Sequence, residues 1–375
     1  MTTGVAVLGS TGSIGRSTLQ VLARHRERFH VVALTAHSNR ELLEAQAKAW
    51  APAYVGLVNG GKGEGGRGKG TSCLVEAATH PDARIVVNGI VGAAGLEATL
   101  AALQAGKRVA LANKETLVMA GELVTAAAHA GGGEIVPVDS EHSAVLQCLA
   151  DRGAGDVARL ILTASGGPFR TWTAARAAEA TIDEALRHPT WKMGRKITVD
   201  SATLVNKALE VIEAHFLFGL GYQQVEVVVH PQSVVHAFVE FVDGSVLGQL
   251  GFPNMELPIL YALTHPARIV DAGPRRFDPL TAGPLTFEPV SAALFPAYGL
   301  GRAAGESGGT LPAAFNAANE VAVSLFLEGR IPFGRIAALI ETALGHHTRR
   351  NAESLEAVLA ADAESRRVTQ EAACS

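Results

Sequence analysis

The chain begins with a short apolar run followed by a glycine-rich turn, Val5-Ala-Val-Leu-Gly9-Ser-Thr-Gly12-Ser-Ile-Gly15-Arg-Ser-Thr-Leu19. An apolar strand, a glycine turn and a helix start, in this order, form the context that a dinucleotide-binding fingerprint requires. In this G-x-x-G-x-x-G spacing, Gly12 would let the backbone approach a pyrophosphate, and Gly15 would let the helix pack on its strand. The stretch therefore predicts a dinucleotide-binding parallel sheet, and a bare turn is the alternative.

The pattern of elements extends this prediction to about residue 140. Strand-like runs alternate there with alanine-rich helical stretches, which is typical of a doubly wound parallel sheet. The predicted strands are Val5 to Leu8, Val31 to Leu34, Ala53 to Val58, Ile85 to Val87, Arg108 to Leu111 and Glu134 to Val138. Residues 59–70 are glycine-rich, and we expect a mobile surface loop there with no assigned role.

After residue 151 the pattern changes to bulky alternating strands, then to a Pro-rich segment and a helical tail. The later predicted strands are Leu160 to Thr163, Val225 to His230, Val234 to Phe241 and Ser245 to Leu250. The predicted fold is α/β, with an N-terminal Rossmann-like parallel sheet (1–150), a central α+β catalytic domain (151–270), a linker (271–290) and a small C-terminal helical domain (291–375). We expect the weakly patterned tail after about Glu356 to fray.

Composition limits the classes of function. The 375 residues predict two or three domains, and 48% hydrophobic with 18% charged residues is typical of an ordinary globular protein. A formal net charge of -4 without a basic block argues against nucleic acid or an anionic membrane as a partner. The three cysteines are far apart and suit neither a disulfide framework nor a zinc site, so we expect a reduced, cytoplasmic protein without a membrane span or signal peptide.

The end of the second strand indicates which dinucleotide is bound. Proteins that bind NAD usually place an acidic residue there for the ribose 2'-hydroxyl, whereas this chain has Ala36-His37-Ser38-Asn39-Arg40. Because no carboxylate would repel a 2'-phosphate, the segment favours NADPH. His37, Ser38 and Arg40 are the candidate partners of that phosphate, although Arg40 could be an ordinary surface residue.

The segment from His188 to Glu210 carries a candidate catalytic helix. Asp200 and Ser201 are candidate N-caps of a helix of roughly 15 residues. Asn206, Lys207 and Glu210 would project from neighbouring faces of that helix, and Ser201 near its N-terminus could hold a phosphate with Asn206 and Lys207. The alternative is a capped, solvated face with a Lys207–Glu210 pair.

Carboxylates also follow the last strand of the first domain. Asp139 and Glu141 are two residues apart, so in extended geometry both would point the same way. Together with Glu210 they would form the oxygen ligand set of Mg²⁺ or Mn²⁺. Alternatively, Asp139 and Ser140 only cap a helix starting near Ser143, and Glu141 faces water.

Three further segments are candidates for the site. The glycine turn after Thr163 offers backbone N–H groups and the hydroxyl of Ser165 to a phosphate, or is a plain turn. Asn113 and Lys114 could face the nicotinamide and the substrate, or only cap a helix. His230 lies in a buried strand, where a satisfied core histidine is more common than a ligand.

Seven motifs, in this order, resemble those of the 1-deoxy-D-xylulose 5-phosphate reductoisomerase family of the non-mevalonate isoprenoid route. They are Gly9-Ser-Thr-Gly-Ser-Ile-Gly15, Ala112-Asn-Lys-Glu115, Val138-Asp-Ser-Glu-His142, Ala164-Ser-Gly-Gly-Pro-Phe169, His188-Pro-Thr-Trp-Lys-Met-Gly194, Asp200-Ser-Ala-Thr-Leu-Val-Asn-Lys-Ala-Leu-Glu210 and His230-Pro-Gln-Ser233. The resemblance runs along nearly the whole chain. It implies an NADPH- and divalent-metal-dependent homodimer that rearranges and reduces 1-deoxyxylulose 5-phosphate to 2-C-methylerythritol 4-phosphate.

The resemblance also implies roles for individual residues. The metal ligands would be Asp139, Glu141 and Glu210. The substrate would be held by Ser140, Ser165, His188, Trp191, Ser201, Asn206 and Lys207, and the catalytic residues would be Glu141, Lys114 and His188. The cofactor would be bound by Gly9, Thr11, Gly12, Ser13, Ile14, Gly15, His37, Ser38, Asn39, Asn113, Glu115, Met193 and Gly194.

The loop from His188 to Gly194 corresponds to a flexible loop of the family, with Trp191 and Met193 closing over substrate and cofactor. One departure concerns the cofactor, because the chain reads His37-Ser38-Asn39 where relatives often carry Gly-Lys-Asn. Two other classes of function stay open. These are a metal-free NADP-dependent dehydrogenase and a non-catalytic NADPH-sensing protein.

Overall fold

The computed structural model describes residues 2–59, 68–150, 152–191 and 193–374. Its residues form two compact units. The first contains Met1–Thr116, Val124–Ser143 and Asn254–Arg275, and the second contains Leu117–Leu123, Ala144–Pro253 and Arg276–Ser375. These units are defined by packing alone, and the four-part sequential division stays a prediction.

The first unit is built on a parallel sheet. Its strands are β1 (Thr3–Leu8), β2 (Phe29–Ala36), β3 (Tyr54–Leu57), β4 (Gly68–Lys69), β5 (Ile85–Asn88), β6 (Arg108–Leu111) and β7 (Glu134–Pro137), and they lie in the order β4-β3-β2-β1-β5-β6-β7. All adjacent strands of this sheet are parallel. The predicted doubly wound sheet and its strands are confirmed. The chain order reverses between β1 and β5, and ligands of such sheets bind at that switch point.

Helices follow the strands of this sheet, as alternation of the two element types requires. They are α1 (Ser13–Arg24), α2 (Arg40–Trp50), α3 (Ser72–Thr79), α4 (Leu96–Gln104), α5 (Lys114–Gly131) and α6 (Ser140–Leu149). The predicted glycine-rich loop over 59–70 lies for the most part outside the described residues.

The second unit combines a mixed sheet with helices. Its strands are β8 (Val157–Ala164), β9 (Val225–Val229), β10 (Val235–Phe241), β11 (Val246–Leu250) and β12 (Glu288–Pro289), in the order β11-β10-β8-β9-β12. The predicted strands of the central domain are confirmed. Strand β12, which pairs antiparallel with β9, lies in the segment expected to be irregular, and its two residues are too few to give a pattern.

The helices after β8 are α7 (Ala174–Ala178), α8 (Ile182–Ala185), α9 (Arg195–Ala202), α10 (Val205–Phe218), α11 (Glu256–Thr264), α12 (Pro296–Ser307), α13 (Leu311–Leu327), α14 (Arg335–His346) and α15 (Leu355–Ala373). Helix α11 belongs to the first unit, where it packs on α1. The last four helices are the predicted C-terminal helical region. Within the described ranges, no helix combines the length and apolar character that crossing a membrane requires.

The expectation that the tail frays after about Glu356 is wrong. Helix α15 begins at a cap in which the Ser354 hydroxyl accepts the Ala357 N–H at 3.2 Å, and it packs on α13. Its buried face consists of small and polar residues, Val358, Ala361, Asp362, Ser365 and Thr369. A face of this kind gives little hydrophobic periodicity, although it packs closely.

Candidate active site

The glycine turn after β1 is held in a conformation that only glycine fits. Gly9 has φ +78°, and a Cβ on Gly15 would lie 2.4 Å from both the Gly9 carbonyl oxygen and the Ser10 Cα. Gly15 therefore lets α1 pack closely against the turn that follows β1, whereas the prediction placed this contact on the strand. Gln46, which the sequence analysis missed, fixes the turn, because its Nε2 donates to the Ser10 carbonyl at 2.9 Å and its Oε1 accepts the Ser10 hydroxyl at 2.7 Å.

Gly12 is the N-cap of α1 and brings no side-chain acceptor, so the helix start presents its N–H groups without a covering side chain. This is the arrangement that accommodates a pyrophosphate. The other predicted cofactor residues of this turn are exposed or half-buried: Thr11, Ser13 and Ile14.

The predicted 2'-phosphate segment is exposed at the end of β2. Asn39 caps α2, accepting the Leu42 N–H at 3.1 Å, and the His37 Nε2 lies 3.0 Å from the Asn59 Nδ2. Ser38 and Arg40 are exposed beside them.

Asn113 has a structural part in this unit. It is 1% exposed, its Nδ2 donates to the carbonyls of Ile90 (2.7 Å) and Gly92 (2.9 Å), and its Oδ1 accepts the Thr116 N–H at 2.9 Å. Asn113 therefore caps α5 and also holds the loop after β5 in place, and its role toward the cofactor stays a prediction. Glu115 is buried in the first turn of α5.

A polar cluster lies after β6 and β7 in the same unit. Lys114 forms an ion pair with Asp139, and the Ser140 hydroxyl donates to the Glu141 carboxylate at 2.6 Å. The expected extended geometry of Asp139 and Glu141 is wrong, because β7 ends at Pro137 and Glu141 already lies in the first turn of α6. The alternative helix start near Ser143 is wrong as well, since α6 begins at Ser140.

In the second unit, His188 joins two of the predicted phosphate ligands. Its Nε2 lies 3.0 Å from the Ser165 hydroxyl and 3.1 Å from the Ser201 hydroxyl. Its Nδ1 accepts the N–H groups of Thr190 (3.1 Å) and Trp191 (2.8 Å). A nitrogen that accepts two N–H groups carries no proton, so the proton of the neutral imidazole is on Nε2 and points to the two hydroxyls.

Burial, and then the charge of Lys207, lower the pKa of His188 to about 4. Between pH 6.5 and about 4, the unfolded chain takes up a proton that the folded chain does not, so acid favours unfolding in this window. We expect the free energy of unfolding of the wild type to fall relative to that of His188→Gln as the pH decreases. Urea unfolding of both proteins across that range measures the difference, and parallel curves would contradict the expectation.

The expected capping by Asp200 and Ser201 is wrong. Both lie buried in the last turn of α9, and α10 begins only at Val205, after Leu204 in the left-handed region with φ +60°. Ser201 therefore does not stand at the positive end of a helix. The helix is interrupted at Leu204, although an apolar leucine in the sequence does not predict an interruption.

The predicted set on α10 is assembled and buried. The Asn206 Nδ2 donates to one Glu210 carboxylate oxygen at 2.6 Å, and the Lys207 ammonium donates to the other at 2.7 Å. Lys207 is 3% and Glu210 0% exposed. The Lys207–Glu210 ion pair of the alternative interpretation is present. Both side chains are buried, however, so the solvated helix face of that interpretation is wrong.

The segment from His188 to Gly194 joins α8 to α9. Trp191 and Met193 are half-buried, and the Trp191 ring centroid lies 6.3 Å from that of His236. Gly194 is the N-cap of α9. His230 is a satisfied core histidine, since its two ring nitrogens bond the Thr286 carbonyl and the Val234 N–H.

Family models and known sequences of one protein family match the chain. The family model of 1-deoxy-D-xylulose 5-phosphate reductoisomerase matches residues 5–121, that of its C-terminal domain matches 135–218, and that of the DXP reductoisomerase C-terminal domain matches 250–368. A reductoisomerase from Synechococcus sp. (strain JA-2-3B'a(2-13)) is 49% identical over 98% of this chain and 97% of its own. One from Xanthomonas oryzae pv. oryzae (strain PXO99A) is 51% identical over 98% and 96%.

Solved structures agree with these matches. The reductoisomerase from Zymomonas mobilis in complex with NADPH has a TM-score of 0.91 and 42% identity, with all of both chains covered. A DOX-P reductoisomerase in complex with NADPH, fosmidomycin and magnesium has a TM-score of 0.93 and 38% identity over 99% of this chain and 98% of that one.

Proposed function

Because the chain belongs to the 1-deoxy-D-xylulose 5-phosphate reductoisomerase family, we propose that it converts 1-deoxy-D-xylulose 5-phosphate to 2-C-methyl-D-erythritol 4-phosphate with NADPH and Mg²⁺ or Mn²⁺. The observation that carries the substrate assignment is the partly buried group of Ser165, His188 and Ser201, close enough to Lys207 for its charge to lower the pKa of His188. Two hydroxyls, an imidazole N–H and an ammonium suit a phosphate.

NADPH would lie on the turn from Gly9 to Gly15, where Gly15 has no room for a side chain and no side chain caps the start of α1. When bound, it supplies the hydride that reduces the rearranged aldehyde. Ser38 and Arg40 offer a hydroxyl and a guanidinium to its 2'-phosphate, with His37 and Asn39 beside them. Asn113, Glu115, Met193 and Gly194 complete the proposed cofactor set.

Asp139, Glu141 and Glu210 would hold the divalent cation. Their oxygen donors fit a hard cation. Lys114 pairs with Asp139, Lys207 pairs with Glu210, and the Ser140 hydroxyl donates to Glu141. When bound, the cation polarises the substrate carbonyl and acidifies its hydroxyl. Mg²⁺ and Mn²⁺ both suit this set.

The remaining residues would bind and orient the phosphosugar. Ser165, Ser201, Asn206 and Lys207 would hold its phosphate, and this binding energy, remote from the reacting carbons, would orient the sugar. Lys114 and Ser140 would contact the carbon backbone, and Lys114 with Glu141 would act at the reacting atoms. His188 would donate from Nε2 to the phosphate end, while Trp191 and Met193 would exclude water from the aldehyde.

The test is NADPH oxidation by the purified protein given 1-deoxyxylulose 5-phosphate, with and without Mn²⁺ after chelation. Oxidation that depends on the metal supports substrate, cofactor and metal together. Oxidation that is insensitive to chelation would favour the metal-free dehydrogenase. NADPH binding without any oxidation would favour the sensing protein.

We further infer that the protein is a cytoplasmic homodimer whose partners include neither nucleic acid nor a membrane. The three free thiols and the net charge of -4 support the location and the excluded partners. For the dimer, the support is β11, the outer strand of its sheet, on which Val246 is 51% and Leu247 43% exposed. An apolar edge strand promotes pairing with another chain unless it is covered.

Replacing both Val246 and Leu247 by lysine is therefore expected to convert the dimer to a monomer, because lysine on an edge strand prevents pairing. Sedimentation velocity measures the change. Val270→Lys, which alters an 87% exposed apolar residue of the first unit, is the control and should leave the dimer intact. A double variant that stays dimeric would exclude β11, and a monomeric wild type would exclude the dimer.

A further inference from the structure

The helix that carries Ser201 is tied to the C-terminal helices through the preceding residue. Asp200 is 0% exposed, and one of its carboxylate oxygens accepts the Nδ2 of Asn319, from α13, at 2.9 Å. Its other oxygen lies 2.8 Å from the Lys196 ammonium, one turn earlier on α9. The buried Asp200 carboxylate therefore has two partners, Lys196 on its own helix and Asn319 on α13.

Asn319 lies in an apolar setting that does not favour an amide. It is 0% exposed among the buried side chains of α13, such as Phe315, Ala318 and Ala322. Its Oδ1 has no hydrogen-bond partner among the residues that the structure describes. Asn316 on the same helix has the same unsatisfied acceptor, so the feature that distinguishes Asn319 is the bond that its Nδ2 donates to Asp200 on α9.

A displacement of α9 would be transmitted to both serine hydroxyls. Gly167 has φ +63°, and a Cβ there would lie 2.7 Å from the Ser201 carbonyl oxygen, so the glycine turn packs directly on the end of α9. The Gly167 N–H donates to the Ser165 hydroxyl at 3.1 Å. The positions of Ser165 and Ser201 therefore both depend on where α9 lies.

We propose that Asn319 is a positioning residue for the substrate phosphate, and that it acts through Asp200. By fixing the last turn of α9, it sets the spacing of the Ser165 and Ser201 hydroxyls around His188. This role rests on the proposed phosphate site. Asn319 touches neither the substrate nor the cofactor.

Asn319→Leu tests the role, since it removes the donor and keeps a similar volume. We expect the KM for 1-deoxyxylulose 5-phosphate to rise about tenfold, because small misplacements of binding groups have effects of this order or larger. The kcat and the KM for NADPH should stay within about twofold, because the affected contacts are remote from the reacting carbons.

Asn316→Leu is the matched control. Asn316 lies three residues earlier on α13, is also 0% exposed with an unsatisfied Oδ1, and donates to Glu320 instead of Asp200. Its variant should lose similar stability without raising the KM for the phosphosugar. An equal rise in both variants, or none in Asn319→Leu, would overturn the proposal.

A double-mutant cycle tests the route through Asp200. Asp200→Ala removes the acceptor of the Asn319 N–H, so it alone should raise the same KM, and adding Asn319→Leu should raise it little further. If Asn319→Leu fails to fold, an unchanged KM in Asp200→Ala overturns the proposal. Calorimetric titration with inorganic phosphate separates a failure of the proposed reaction from a failure of the positioning role of Asn319. A wild type that binds phosphate without oxidising NADPH refutes the proposed reaction, whereas equal phosphate affinity in wild type and Asn319→Leu refutes the positioning role.

Discussion

Replacing Glu210 by glutamine is expected to lower turnover by about 10³-fold or more, because a cation that supplies several kcal/mol to the transition state would lose a charged ligand. NADPH affinity should change little, because Glu210 is outside the proposed cofactor set. Steady-state kinetics with Mn²⁺ and fluorescence titration of NADPH measure the two effects. Turnover like that of the wild type would refute Glu210 as a metal ligand.

Glu213→Gln is the control for this variant. Glu213 lies three residues further on α10 and is 3% exposed, close to the 0% of Glu210, but it is outside the proposed ligand set. Both substitutions remove a buried negative charge, so both can destabilise the helix. Only Glu210→Gln should change the Mn²⁺ concentration needed for half-maximal activity. A similar change in Glu213→Gln would move the metal assignment to a different carboxylate set.

Gly15→Ala is expected to destabilise the first unit by about 1–3 kcal/mol, because the added methyl group would meet backbone atoms that cannot rotate away. The two closest atoms, on Gly9 and Ser10, lie 2.4 Å from the position of the new Cβ. Moving the turn would displace the N–H groups at the start of α1, so NADPH affinity should fall at least about tenfold. Thermal unfolding and NADPH titration measure both changes.

Gly12→Ala separates stability from cofactor approach. A Cβ on Gly12 would meet only the Gly9 carbonyl oxygen, at 3.3 Å, and Gly12 has φ -75°, which any residue adopts. Stability should therefore stay close to that of the wild type, while a methyl group at the pyrophosphate position weakens NADPH binding. If NADPH binds Gly12→Ala as tightly as the wild type, the pyrophosphate does not lie against this residue.

The parallel sheet could be predicted from the sequence because its strands are buried on both faces and read as short apolar runs between glycine-containing turns. The glycine turn could be predicted as well, because a Cβ at Gly15 has no room beside Gly9 and Ser10. The grouping of Asn206, Lys207 and Glu210 could also be predicted, because side chains three and four residues apart lie together on any helix.

Other parts of the candidate site depend on contacts between distant segments. Ser165, His188 and Ser201 meet only after β8, the loop before α9 and α9 itself have packed, and no local spacing encodes this. The break at Leu204 carries no glycine or proline. Asn319 could have been noticed as an amide within an apolar helix, but its partner on α9 is 119 residues away in sequence.

The two nitrogens of the His188 ring serve different parts of the second unit. One faces the Ser165 and Ser201 hydroxyls, and the other receives the backbone of Thr190 and Trp191. Because an imidazole is a rigid plane, turning it about a side-chain torsion breaks the bonds on both sides together. The hydroxyl pair and the start of the loop are therefore coupled through the orientation of one ring, and rearranging either of them through this ring disturbs the bonds of the other.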